Sequence, residues 1–400
     1  MNLKLILSDG TEFTGESFGY WPASAKATAG QPLLKFTKNP IGKPSRRHFF
    51  ADGEVVFNTG MVGYPETFTD PSYRGQILVL TYPMIGNYGV PAESDSHGVS
   101  KQFESNKIHL RGLVISEECE AHSHWQAKKS LRTFLVKHKI PTIKGVDTRA
   151  LTQKLREYGV MLGKIVGEDE SFSNEMEFSD PNASNLVAEV SVKKKTVLRP
   201  KGNPVATVAL IDCGIKHNII RSFLERGVRV IRIPWDTDLS KLREKYDGVF
   251  YSNGPGDPQT VEKTVESLRW AMKQGKVIFG ICLGSQVMGL AAGAKTYKLK
   301  YGHRSANQPC TDVINDRGQR CYITSQNHGY AVDEKTLPKG WKVWFRNAND
   351  GTVEGIKHVS KPWSSVQFHP EASPGPEDAA YLFDKFIGQM SFRKKPIKKN

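Results

Sequence analysis

The stretch VIFGICLGSQVMGLAAGA, residues 277–294, decides how the rest of the chain is read. Residues 277–281 carry no polar side chain, as a strand covered on both faces requires. Small and apolar residues then continue from Leu283 as a helix. Between them lies Gly280-Ile281-Cys282-Leu283-Gly284, a cysteine version of the Gly-x-Ser-x-Gly nucleophile elbow. Such a strand-to-helix turn holds its central residue in strained backbone geometry. Side chains two positions to either side would collide, which explains Gly280 and Gly284. The turn lifts the Cys282 sulfur to the carboxyl edge of a sheet and places it at a helix N-terminus, where the dipole favours thiolate. The Leu283 N–H, just beyond, is placed to stabilise an oxyanion. The motif alone also fits a structural cysteine buried between packing glycines.

On the N-terminal side of this unit, apolar runs at 205–211, 228–233 and 248–251 alternate with helical patterns at 217–226, 239–246 and 261–274. A further helix is expected at 379–390. Alternation of this kind predicts a parallel sheet with helices on both faces. The first half reads differently. Short strand-like runs at 3–7, 54–58, 77–81 and 111–115 are separated by Gly, Pro and Asp. Helical patterns follow at 125–138 and 148–158, the second with Asp147 as its cap. The expected class is α/β: a C-terminal parallel-sheet domain behind a strand-rich α+β N-terminal domain. The expected boundaries are 1–192, with 21–52 as a surface insertion, a basic linker at 193–204, the second domain at 205–390, and a basic tail at 391–400. That tail also reads as the start of a linker to a further domain.

Composition narrows the function classes. The chain has 400 residues, 24% of them charged and 38% apolar, which excludes wholesale disorder and fibrous folds. Lys plus Arg (56) exceeds Asp plus Glu (41) by 15. KKKTVLRPK (193–201) and SFRKKPIKKN (391–400) each hold five positive charges and no negative one, so ten of that excess sit in 19 residues. Neither segment interleaves aromatics, apart from Phe392, so no nucleic-acid partner is expected. Five widely spaced cysteines without a C-x-x-C argue against a disulfide framework and a zinc site, and for a reducing, cytoplasmic setting. MNLKLILSDG reaches Ser8-Asp9-Gly10 too soon for a signal peptide. Ser285, Gln286 and the glycines make 277–294 unlike a membrane span. His122-Ser123-His124 reads as solvated rather than metal-binding, so no metal site is expected. Neither G-x-G-x-x-G nor G-x-x-x-x-G-K-[ST] occurs, which argues against the usual nucleotide sites.

A thiolate needs a base, and His369-Pro370-Glu371 offers one after an apolar, strand-like stretch at 365–368. In extended backbone, residues i and i+2 point the same way. Pro370 fixes its own φ and has no N–H to contribute. The Glu371 carboxylate can then orient the His369 imidazole, giving Cys–His–Glu in triad logic. Alone, His-Pro-Glu reads more simply as a surface turn; the elbow changes its meaning. Ser252-Asn253-Gly254-Pro255-Gly256-Asp257-Pro258 is a rigid turn whose glycines let backbone approach a ligand. The switch-point rule puts it on the same sheet edge as Cys282. Gln326-Asn327-His328-Gly329-Tyr330 is a second polar segment of this kind.

G-I-C-L-G, H-P-E, S-N-G-P-G-D-P and Q-N-H-G-Y on such a pattern resemble the class I (triad) glutamine amidotransferases. Residues 53–88, 145–159 (GVDTRALTQKLREYG) and 180–191 (DPNASNLVAEVS) resemble the N-terminal domain of the carbamoyl-phosphate synthetase small subunit. The resemblance covers nearly the whole chain apart from 21–52 and the tail. It implies hydrolysis of L-glutamine, with ammonia passing through a tunnel to a synthetase large subunit or fused synthetase domain. Cys282 would be the nucleophile, His369 the base and Glu371 its orienting partner. Glutamine contacts would fall on Gly60, Gly254, Gly256, Leu283, Gln286, Asn327, Gly329 and Tyr330. No cofactor is implied for this chain; ATP and magnesium belong to the partner. Two positions depart from the family pattern: Gly60, where many members have Ser, and Ser285, where His is usual. They motivate an alternative, a catalytically silent regulatory subunit. An amidotransferase serving guanylate or anthranilate synthesis would leave residues 53–191 unexplained. Whether arginine or pyrimidine synthesis uses the product stays open.

Overall fold

The computed structural model describes residues 1–20, 51–168, 177–314 and 320–392. The expected insertion at 21–52 lies outside the described residues except for Ala51 and Asp52, and the basic tail lies outside them from 393 onward.

Apolar runs in the first half close into a seven-stranded barrel. Its strands are β1 (Asn2–Leu7), β2 (Glu12–Ser17), β3 (Ala51–Asn58), β4 (Gln76–Leu80), β5 (Gly112–Val114), β6 (Thr142–Lys144) and β7 (Met161–Gly167), in the order β1-β7-β3-β4-β5-β6-β2. β3 to β6 run parallel and the remaining pairs antiparallel. Alternate residues (Leu3, Leu5 and Leu7; Val55; Ile77 and Val79) fill the interior, as the two-residue period of a strand demands. The other face of β4, through Leu78 and Leu80, packs with Phe68 of α1 (Tyr64–Thr69) and Phe134 of α2 (Leu131–Lys137). α2 is shorter than the expected 125–138. Ser130 caps it by accepting the Thr133 N–H, and Trp125 is 82% exposed, so the preceding residues bury no apolar face. α3 (Thr148–Tyr158) starts at Asp147, whose carboxylate accepts the Ala150 N–H, and lays Leu151 and Leu155 on the barrel core. α4 (Leu186–Val190) follows, with the Asn185 side chain accepting the Ala188 N–H.

The second half is one ten-stranded sheet. Its strands are β8 (Thr196–Leu198), β9 (Ala206–Asp212), β10 (Val228–Pro234), β11 (Gly248–Tyr251), β12 (Val277–Ile281), β13 (Thr296–Asp312), β14 (Arg320–Val332), β15 (Trp341–Asn347), β16 (Val353–His358) and β17 (Trp363–Val366). They order as β8-β10-β9-β11-β12-β17-β16-β15-β13-β14. The centre, β10 to β17, is parallel. Phe250 and Phe279 face α5 (His217–Glu225) and α8 (Tyr381–Phe392) through Phe223, Phe383 and Phe386. Val249 and Ile278, one residue out of phase, face Leu268 of α6 (Glu262–Lys273) and Val287 of α7 (Leu283–Ala292). The basic stretch at 193–204, expected as a linker, supplies edge strand β8, antiparallel to β10. The helix expected at 239–246 is a single 3-10 turn, Leu239–Lys241, because the Asp238 carboxylate closes it on the Ser240 N–H. Four antiparallel strands on the β17 side were not read from the sequence. Register shifts in the β13–β14 ladder, at Lys298/His303 and Ser305/Gln308, disrupt the alternation that would mark them. No helix among the described residues is long and apolar enough to cross a membrane.

Glu104 of the first half joins the two units. Its fully buried carboxylate accepts from the Asn218 N–H at 3.0 Å, Arg221 Nη2 at 2.7 Å and Ser373 Oγ at 2.7 Å. Its backbone oxygen accepts the His217 N–H at 2.9 Å. Replacing Glu104 with Ala leaves Arg221 without its anion. The expected loss of stability, by denaturant unfolding, is about 3–5 kcal/mol.

Candidate active site

The elbow is set by close backbone approach. β12 ends at Ile281, and Cys282 takes φ 54° and ψ −107° before α7 begins. A positive φ at a non-glycine residue is strained and persists only where the surroundings enforce it. Here they do. A Cβ at Gly280 would stand 2.5 Å from Gly284 O, and one at Gly284 would stand 2.2 Å from Tyr251 O. Cys282 N donates to Val366 O at 2.9 Å, and Gly284 N to Ser252 O at 3.1 Å. The Leu283 N–H belongs to the first turn of α7, which has no intrahelical acceptors for its donors. Ser285, one of the two departures, points away from the sulfur. Its hydroxyl meets Ser365 Oγ of β17 at 2.9 Å and is buried beneath the elbow.

His369 and Glu371 come together through a turn, whereas extended backbone was expected. β17 stops at Val366, and Ala372 N donates to His369 O at 3.1 Å. His369 Nδ1 lies 2.6 Å from Glu371 Oε1. His369 Nε2 is buried without a hydrogen-bond partner, and Cys282 is among the groups that favour its charged form. Burial disfavours the imidazolium, but the Glu371 carboxylate outweighs it and raises His369 to about 10. Glu371 is lowered despite its burial, because His369 and Lys216 stand beside it. Lys216 Nζ lies 3.3 Å from Glu371 Oε1 and donates to Ala372 O at 2.5 Å. The stabilisation from His369 is complete below its unfolded value of 6.5 and is lost as pH rises through about 10. That from Glu371 is present above 4.5 and is lost as pH falls through its lowered folded value.

Two cavities lie beside these residues and share Asn327 in their linings. Cys282 lines the first, together with Gly254, Gly256, Gln286, Asn327, Gly329 and Tyr330. Gln286 Nε2 donates to Tyr330 O at 2.9 Å, which ties α7 to β14. The Cys282 thiol points at Asn327 O, 3.6 Å away. Asn327 Nδ2 in turn donates to Asp70 of the N-terminal half at 2.9 Å. Leu283, also expected as a contact, does not line this cavity; its side chain is buried in the core. Gly60 is placed elsewhere. It lines the second cavity, on the His369 side, with Glu66, Lys216 and Pro374. Ser72 and Arg304 are among the polar residues of the first cavity that sequence reasoning missed. Ser72 is in the 53–88 stretch and bonds to Asn253 Nδ2 at 2.9 Å, a pairing across the two halves that no local pattern announces.

Behind Asn327, donor atoms of His303, His328 and Glu354 lie within 4.8 Å of one another, the spacing of a possible metal site. Each makes hydrogen bonds within the protein, while Glu354 Oε2 is buried without a partner. His303 bonds Glu354 at 3.1 Å and Asp350 at 2.9 Å, and His328 bonds Gln326 at 3.0 Å and Tyr330 O at 2.9 Å. The cluster therefore acts as a hydrogen-bonded brace for the β14 segment that carries Asn327.

Two measurements follow from this geometry. Gly284→Ala forces α7 off β11 and should cost about 1–3 kcal/mol in denaturant unfolding, with slower alkylation of Cys282. In Glu371→Gln, burial and Lys216 act on His369 with less opposition. The His369 imidazole, followed by nitrogen NMR, should then titrate at lower pH than in wild type.

Comparison with known proteins agrees with this architecture. Residues 209–389 match the family model "Glutamine amidotransferase class-I", and residues 36–165 match "Carbamoyl-phosphate synthase small chain, CPSase domain". The second match begins inside the stretch expected as an insertion. The arginine-specific carbamoyl phosphate synthase small chain of Aspergillus fumigatus is 51% identical over 341 residues, which cover 84% of this chain and 74% of that one. Multifunctional protein CAD of Squalus acanthias is 49% identical over 388 residues, covering 96% of this chain but 16% of that protein. Multifunctional protein pyr1-3 of Dictyostelium discoideum is 46% identical over 403 residues, 96% of this chain and 17% of that protein. This chain thus spans about a sixth of the multifunctional relatives. Identity near one half across most of an arginine-specific small chain leaves one assignment: the chain belongs to the carbamoyl-phosphate synthase small-chain family, with a class I glutamine amidotransferase domain as its second half.

Proposed function

We propose that this chain is the glutamine-hydrolysing component of a carbamoyl-phosphate synthase and delivers ammonia to a synthetase subunit or fused domain. The observation that carries the reading is the Cys282 elbow beside a buried His369–Glu371 pair at 2.6 Å. Cys282 Sγ, its proton already held on His369 Nε2, attacks the side-chain amide carbon of glutamine. Glu371 stabilises the imidazolium. The Leu283 N–H and its neighbours in the first turn of α7 receive the oxyanion. The C–N bond then breaks, and the proton on Nε2 goes to the departing nitrogen, which leaves as ammonia. Water attacks the resulting thioester and gives its proton to Nε2. The C–S bond breaks, the sulfur leaves as thiolate beside the restored imidazolium, and glutamate is released.

The two cavities give these products separate routes. Glutamine enters on the Cys282 side, and ammonia leaves past His369 into the cavity that Gly60, Glu66 and Pro374 line. The partner supplies bicarbonate chemistry with ATP and magnesium, so this chain needs neither. Its five free thiols fit a reducing, cytoplasmic setting.

The test is glutamate release from glutamine by wild type and Cys282→Ala, with and without a carbamoyl-phosphate synthetase partner. The substitution should reduce release by at least about 10⁴-fold, as loss of a nucleophile does elsewhere, and leave ammonia-dependent synthesis by the partner intact. Release that survives in Cys282→Ala would sink the triad.

A further inference from the structure

Arg304 is a buried charge that the triad does not use. It lies on β13 and is 5% exposed. Its Nη1 donates to Tyr301 O at 2.7 Å, while Nε is buried without a hydrogen-bond partner. Buried Lys216 pairs with Glu371, and the partly buried Arg221 and Arg232 pair with Glu104 and Asp212. Among the described residues, no carboxylate stands within ion-pairing distance of Arg304. The acid with most influence on it, Glu54, is engaged by Lys298 at 2.5 Å, Asn182 at 3.2 Å and Gln76 at 3.3 Å. A buried cation without an anion is costly, and a bound anion can remove that cost.

The place of Arg304 says which anion. Arg304 lines the same cavity as Cys282. A Cβ on Gly329 would stand 3.3 Å from Arg304 Nη2, so the planar group lies against the Gly329 backbone. Glutamine carries its one carboxylate at the end opposite the amide that Cys282 attacks. A guanidinium fork matches a carboxylate in geometry as well as charge. We propose that Arg304 receives the α-carboxylate of the substrate and so restricts the site to free amino acids. This assignment rests on the glutaminase reading above. It distinguishes glutamine from an amide that lacks the carboxylate, such as 4-aminobutanamide, and from a glutamine residue within a peptide.

The experiment compares wild type, Arg304→Met and Arg304→Lys as full chains with their synthetase partner, on glutamine and on 4-aminobutanamide. In Arg304→Met, KM for glutamine should rise roughly 10- to 100-fold, the size of one charge-assisted hydrogen bond or a bidentate pair, with kcat changed only a few-fold. Arg304→Lys should recover part of the loss. Turnover of 4-aminobutanamide should be equal in wild type and Arg304→Met, and thermal unfolding should occur no lower in Arg304→Met. An unchanged KM for glutamine would overturn the assignment, as would equal losses on both substrates. Calorimetric titration of glutamine into Cys282→Ala, with and without Arg304→Met, separates binding from catalysis. Weaker binding in the double variant supports the role of Arg304 even if the wild type releases no glutamate, an outcome that counts against the glutaminase reading alone. Equal binding, or none to either chain, overturns the role of Arg304.

Discussion

The approach of α7 to the ends of β11 and β12 is the constraint on which the rest depends. Gly284 passes so close to Tyr251 O, and Gly280 to Gly284 O, that neither position has room for a Cβ. This contact forces Cys282 into its positive φ and holds the sulfur above the sheet edge. Everything else in the second half serves that edge. The parallel strands deliver the Gly254 turn, the elbow and the His369 turn to their carboxyl ends, where the open α/β rule places a ligand. The antiparallel extension brings Asn327, Gly329 and Tyr330 back over the same spot.

A second requirement is charge balance in a buried place. His369, Glu371 and Lys216 are each nearly inaccessible, and none would be charged there alone. Together they hold one another in the charged state, with Glu371 between the two cations. The arrangement extends across the domain boundary. Asn218, whose side-chain N–H donates to Glu371 O, also donates its backbone N–H to Glu104, and Glu104 accepts from Ser373, two residues beyond Glu371. The turn that carries His369 and Glu371 is therefore held by hydrogen bonds from both halves.

Much of this was legible one residue at a time. The elbow glycines, the Asp147 cap, the parallel core strands and the basic segments all follow from local rules about clashes, capping and period. Other features were not. The helix expected at 239–246 gave way to a side-chain-closed turn at Asp238. The hairpin of β13 and β14 hid behind register breaks that spoil alternation. Gly60, singled out by its motif, sits in the second cavity, whereas Ser72, in the same stretch of chain, lines the first with its hydroxyl bonded to Asn253.

The sequence by itself determined the chemistry on offer: a thiol in a forced turn, an imidazole beside a carboxylate, and backbone able to approach a small polar ligand. These are short-range matters, decided by the volume of a Cβ and by spacings of two to four residues. Tertiary structure alone decided which groups share a cavity, that Asp70, Ser72 and Glu104 of the first half reach the triad's neighbourhood, and that Arg304 is left without an anion. Those outcomes depend on where two sheets stop relative to each other and on which charges are buried together. Pairings between residues 100 to 270 positions apart leave no periodic trace in the chain.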